Sequence, residues 1–187
     1  MIHHMSFGVK DTARVARVLA ELLGATAVRA PTPPFPYGAW LVCAGDAHGT
    51  FLEIVPATSV FDPDAPLGVR QRQARLEPGS AHVLVGTSLT AEAIVGIAAR
   101  EGWRTQEVET GLFRIVKLWV EDVTLVEFLA AGEAPRYEEA FGTAGLPVLD
   151  RRLRELETSL GAALAANLPP EVLVEALGRP PSELSAV

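Results

Sequence analysis

The side chains in this sequence best placed to do chemistry together are two histidines and two glutamates: His4, Glu53, His82 and Glu127. Imidazole nitrogens and carboxylate oxygens in equal number make a donor set for one divalent metal ion, Ni, Co, Mn, Fe or Zn. Each donor sits in a short apolar run, and along a strand successive side chains take opposite faces. In the first run His4, Ser6 and Gly8 share a face, while Met5, Phe7 and Val9 share the other. Glu53 falls on the face of Phe51 and Val55, opposite Leu52 and Ile54. The later runs repeat this: His82, Leu84 and Gly86 oppose Val83 and Val85, and Glu127 with Leu125 and Leu129 opposes Val126 and Phe128. A carboxylate among such neighbours costs on the order of several kcal/mol unless it is paired or bound to a cation. An arginine would answer for either glutamate alone. The same placement twice, with His and Glu 49 residues apart in one copy and 45 in the other, favours a metal. His3, which points to the helix side or the strand edge, and His48, which lies in a turn, are set aside.

What must position these donors is a unit written twice. Residues 2–9 read as a strand, and Asp11 caps a helix over residues 13–23. Its Val15, Val18, Leu19 and Leu22 recur at helical spacing, and Gly24 stands at the C-terminal cap. Strands over residues 26–29, 39–44 and 50–55 follow, the last two joined by the turn Gly45-Asp46-Ala47-His48-Gly49. The second copy has a strand over 81–86, a helix over 90–100 ended by Gly102, and strands over 104–108, 112–120 and 124–130. Glu121-Asp122 is its tight turn.

The expected fold is therefore α+β, with two βαβββ modules over residues 1–55 and 81–131. A linker or lid over 56–80 joins them, and a helical tail over 132–187 follows. In the tail Leu149, Leu153, Leu156, Leu160 and Leu164 recur at helical spacing, and Pro169-Pro170-Glu171 opens a second helix running to Leu177. The tail's apolar stripe is expected to pack on a sheet's outer face or on another subunit.

Composition narrows the function classes. At 187 residues, 49% hydrophobic and 21% charged, the chain is of ordinary globular composition. Its formal net charge of −7 and the lack of a Lys/Arg stripe argue against nucleic acid as a partner. No stretch has the length and apolarity to cross a bilayer, and the N-terminus has no signal-peptide pattern, so a soluble cytoplasmic protein is expected. The single cysteine, Cys43, lies within Ala39-Trp40-Leu41-Val42-Cys43-Ala44 and reads as a small buried hydrophobe.

With His4, Glu53, His82 and Glu127 on the first and last strands of paired modules, the sequence resembles the vicinal oxygen chelate superfamily over about residues 2–131. This is the glyoxalase I, bleomycin-resistance and extradiol dioxygenase group. The stretch Leu22-Leu23-Gly24-Ala25-Thr26-Ala27-Val28 looks like the family's helix-to-strand junction. The resemblance implies a curved mixed-sheet cup around one metal, with the His-Glu-His-Glu order of nickel- or cobalt-type glyoxalase I. It also implies a homodimer, and whether the cup closes within one chain or by exchange between two stays open. Glu127 would be both ligand and base, Glu53 its mirror, and His4 and His82 the anchors.

Four ligands on a six-coordinate ion leave two positions for adjacent substrate oxygens. This favours a lyase or isomerase working through an enediolate-type intermediate. An Fe(II) ring-cleaving dioxygenase, built on two His and one carboxylate, is the first alternative. A drug- or metabolite-binding protein of the resistance type is the second. Phe35, Tyr37 and Trp40 are candidates for an aromatic substrate wall. Arg70, Arg72 and Arg75 are candidates for a substrate carboxylate, though a solvated charge run is the plainer reading. Of Arg114 and Lys117, three apart on one strand, at most one can face the cup.

Overall fold

The alternation read from the sequence becomes two four-stranded sheets in a computed structural model that describes residues 2–32, 34–65, 68–74 and 76–177. The first module runs β1 (His4–Val9), α1 (Thr12–Leu23), β2 (Thr26–Arg29), β3 (Trp40–Cys43) and β4 (Phe51–Pro56). Its strand order is β1-β4-β3-β2, with β1 parallel to β4 and the other pairs antiparallel. A two-stranded hairpin, β5 (Ser59–Phe61) with β6 (Val69–Gln71), occupies part of the expected linker. The second module runs β7 (His82–Gly86), α2 (Ala91–Glu101), β8 (Arg104–Glu109), β9 (Arg114–Val120) and β10 (Thr124–Leu129). Its order, β7-β10-β9-β8, is that of the first module, with β7 parallel to β10.

Local chemistry fixes the ends of these elements. Asp11 accepts a hydrogen bond from Arg14 N at 3.0 Å, and Thr90 does the same for α2 from Ala93 N at 3.3 Å. Gly24 and Gly102 take left-handed φ of 61° and 74°, which return the chain from helix to strand at little steric cost. At the β9–β10 turn it is Glu121 and Asp122 that take positive φ, 51° and 61°. That turn sets the register of the strand carrying Glu127.

The helices bury the expected stripes. Val15, Val18, Leu19 and Leu22 of α1 and Ile94 and Ala98 of α2 join one core with Leu52, Ile54, Leu118, Val126 and Phe128 from both sheets. Burying each large aliphatic side chain is worth about 1.5–3 kcal/mol. The Thr87 hydroxyl donates to the Leu22 carbonyl across the modules. The helices are also tied by Arg14 Nε–Glu101 at 2.8 Å and Arg100–Glu21 at 2.6 Å.

The chain divides into two compact units, Met1–Ala134 and Pro135–Val187. The tail holds α3 (Ala134–Phe141), α4 (Leu146–Asn167) and α5 (Pro170–Leu177). No residue of α4 is buried, and Leu160 and Leu164 of its leucine stripe are 42% and 37% exposed. No described helix is long and apolar enough to cross a membrane.

Candidate metal centre

Each sheet turns one face to its helix, and strand register decides which side chains share the other. In the first sheet Ser6 pairs with Glu53, which pairs with Leu41, which pairs with Val28 through the next strand. One row along lie His4, Phe51 and Cys43. In the second sheet the matching rows are Leu84, Glu127, Lys117 and Gln106, and His82, Leu125, Trp119 and Arg104. The faces expected for all four donors are the ones observed, since Leu52, Ile54, Val83, Val85, Val126 and Phe128 all lie in or against the helix-side core.

His82 and Glu127 meet. His82 Nε2 stands 3.7 Å from Glu127 Oε2, while His82 Nδ1 donates to the Ser80 carbonyl at 3.0 Å. A carbonyl can only accept, so the neutral ring keeps its lone pair on Nε2. A ligating histidine is ordinarily oriented by such a bond. At 3.7 Å the two atoms are too far apart for a hydrogen bond. One ion with ligand distances of about 2.0–2.2 Å can touch both. His82 and Glu127 would thus supply two of the ligands of such an ion.

His4 and Glu53 are held differently. The His4 ring stacks on Phe51, centroids 4.7 Å apart and planes 1° from parallel. Glu53, 5% exposed, accepts a hydrogen bond from the Ser6 hydroxyl. Among the described residues no three His, Cys, Asp or Glu side chains are grouped closely enough to hold a metal. Within the chain His82 and Glu127 therefore meet as a pair, and His4 and Glu53 stand in the other sheet without joining them. Alternation fixes the face of each strand but not which sheet faces which.

Several solved structures are similar to this chain. A fosfomycin resistance protein, FosX, from Listeria monocytogenes, complexed with Mn(II) and sulfate, is 15% identical with a TM-score of 0.48, over 74% of this chain and 95% of its own. FosX from Mesorhizobium loti is 16% identical with a TM-score of 0.45, over 68% and 89%. A member of the glyoxalase/bleomycin resistance/dioxygenase superfamily from Sphaerobacter thermophilus is 12% identical with a TM-score of 0.47, over 70% and 96%. No family model and no curated protein matches the sequence.

The candidate aromatic wall is not brought together. Trp40 pairs with Ile54 and packs on the helix-side core, away from the face of Glu53. Tyr37 is 75% exposed. Phe35 alone packs near the donor face, against a small cluster with Val55 and Leu41. Arg70 is bonded to Asp62, and Arg75 lies outside the described residues. Sequence reasoning missed Ser6 and Ser80 as partners of the donors. It left Lys117 undecided, and the register now places Lys117 directly opposite Glu127.

Two cavities in this unit lie apart from the donors. An apolar one of about 220 Å³ is lined by residues such as Leu23, Val42, Leu52 and Val85. Another, of about 430 Å³, is edged by Glu92, Glu107 and Arg114, the last bonded to Glu109 at 3.0 Å. Neither includes His82 or Glu127 in its lining.

Proposed function

We propose that this protein is a divalent-metal-dependent enzyme, a lyase or isomerase acting on a small substrate with two adjacent oxygens. The observation that supports it is the His82–Glu127 pair, with the histidine's other nitrogen committed to the Ser80 carbonyl. In this reading a homodimer completes the site. His4 and Glu53 from the first module of one copy join His82 and Glu127 from the second module of the other. Each chain then contributes to two equivalent centres, as two-fold symmetry requires. The bound ion, Ni, Co, Mn, Fe or Zn, would supply Lewis acidity toward the two substrate oxygens.

The residues of the chain do the rest. Ser80 fixes the tautomer and ring direction of His82. Glu127 is ligand and base, and its partial exposure leaves it room to take and return a proton. Glu53 is the second carboxylate, kept in place by the Ser6 hydroxyl.

Metal analysis combined with complementation tests the proposal. Protein purified without added metal should retain close to one equivalent of a first-row divalent ion per chain, and His4→Ala and His82→Ala should each abolish retention. Assembling the two variants together should restore ion to about a quarter of the sites, because half the dimers are mixed and each mixed dimer has one intact centre. A native protein that rejects all five metals overturns the metal reading. No recovery on mixing overturns the shared site. Oxygen uptake with catechol-like compounds that only Fe(II) supports would replace the lyase or isomerase with an oxygenase.

A further inference from the structure

Helix α4 keeps a narrower apolar stripe than the helices that lie on the sheets. From Leu146 the small or apolar side chains return at Leu149, Leu153, Leu156, Leu160 and Ala163, in alternating steps of three and four, and Asn167 takes the next place. This is a repeat of about seven with its first and fourth positions filled, held over the 22 residues of the helix. Such a seam suits two helices wound round each other. Helix α1, which packs on a sheet, fills adjacent positions as well, with Val15, Val18, Leu19 and Leu22 all buried. In α4 Leu164 borders the seam near its end.

The described residues of the chain do not bury this seam: Leu149, Leu153 and Leu156 are half-buried, and Leu146 and Leu160 are exposed. A helix with so little burial depends on its own propensity, and Gly161 inside it lowers that. The flanking charges indicate which neighbour fits. In a parallel pair of copies, Arg152 of each helix comes beside Glu157 of the other, and a two-fold axis repeats the contact. Both signs are carried by one helix, as a second copy requires. An antiparallel pair instead sets Asp150 against Glu157, two carboxylates. Within the chain Arg152 stands 3.8 Å from Glu139, beyond a hydrogen bond. Glu157 takes Arg154 on one of its two oxygens. Exposed pairs of this kind are weak and do not hold either group back. Asn167 stands on the seam, where paired amides fix the register of two parallel strands. One of its N–H groups goes to the Ala163 carbonyl at 2.7 Å; the amide carries a second N–H and an oxygen.

We infer that α4 is a self-association helix: two copies of this chain join through a parallel two-stranded coiled coil along Leu149, Leu153, Leu156 and Leu160, flanked by Arg152–Glu157 contacts. The seam lies wholly in the tail. The inference therefore goes beyond the metal reading and stands or falls separately from it.

Disulfide capture in the full chain, with Cys43→Ala as background, tests this. Ala163 and Ala165 are both exposed, but Ala163 is on the seam and Ala165 on the far side of the helix. In a parallel coil each seam residue meets its twin. Ala163→Cys should therefore form a covalent dimer with oxidised glutathione about tenfold faster than Ala165→Cys, or more. Adding Leu153→Asp should bring the Ala163→Cys rate down to that of Ala165→Cys. Arg152→Glu should slow capture by about threefold, and Glu157→Arg added to it should restore the rate. The charge variants leave the apolar seam intact, so they decide the matter if Leu153→Asp fails to fold. Equal capture at Ala163→Cys and Ala165→Cys overturns the inference, as does capture at neither. Fast capture at Ala163→Cys that ignores charge reversal also overturns it, because the copies then meet in some other way.

Discussion

The two modules place a glutamate at the same point of the same sheet and treat it in opposite ways. Glu53 is buried, bonded to a hydroxyl and flanked across the strand by a leucine; its histidine neighbour lies flat on Phe51. Glu127 is partly exposed and stands between His82 and Lys117. The backbone is therefore not what distinguishes them. Cross-strand partners, Leu41 against Lys117 and Ser6 against Leu84, make one half a quiet carboxylate and the other a charged cluster.

The largest effect should come from removing the neutral device of the first half. Ser6→Ala takes away the hydrogen bond that Glu53 accepts and leaves a buried carboxylate without it, which should lower stability by about 1–3 kcal/mol. Ser6→Thr keeps the hydroxyl and should recover most of that. Urea unfolding with a fixed m-value measures both. If Ser6→Ala is neutral, Glu53 is satisfied in some other way and the contrast between the halves weakens.

A smaller effect belongs to the seam that holds two differently charged halves together. Arg14 and then Arg100 donate to Glu101 and hold its carboxyl below the usual range; Arg100 does the same for Glu21. A carboxylate whose pKa is depressed in the folded state adds stability that is present above its ordinary value, near 4.5, and is lost as pH falls through the lowered one. Glu101→Gln should therefore flatten the loss of stability on acidification below that value, with a change at neutral pH of about 0.5 kcal/mol, as for an exposed pair. Unfolding curves at pH 7 and pH 3.5 measure this. The same acid limb in variant and native protein would show that the ion pairs do not couple the modules.

How much of this was legible follows the range of the interactions. Periodicity and capping residues placed both modules, and the faces of His4, Glu53, His82 and Glu127, because those depend on neighbours within a few residues. The β5–β6 hairpin was missed because three-residue strands carry too little alternation to show, and α3 because Ala134–Phe141 is only two turns long. The stacking of His4 on Phe51 and the approach of Lys117 to Glu127 depend on register across strands, which the sequence fixes only once turn and pairing are known together. Which sheet faces which depends on packing between distant segments, and no local pattern carries it.

The smallest effect sharpens the comparison from the side of the loop between β2 and β3. That loop was read as an aromatic wall, yet its members part company: Trp40 goes to the helix-side core, Phe35 to Val55 and Leu41, and Tyr37 to solvent. An aromatic ring that is 75% exposed has little burial to lose. Tyr37→Ala should therefore change stability by less than about 0.5 kcal/mol, the usual range for a surface position. Trp40→Ala, which removes a partly buried ring from the core, should cost several times more. Thermal unfolding of the two variants side by side separates them. A large loss from Tyr37→Ala would mean that this ring is covered in the working assembly, and would bring the loop back to the donor face of the first module.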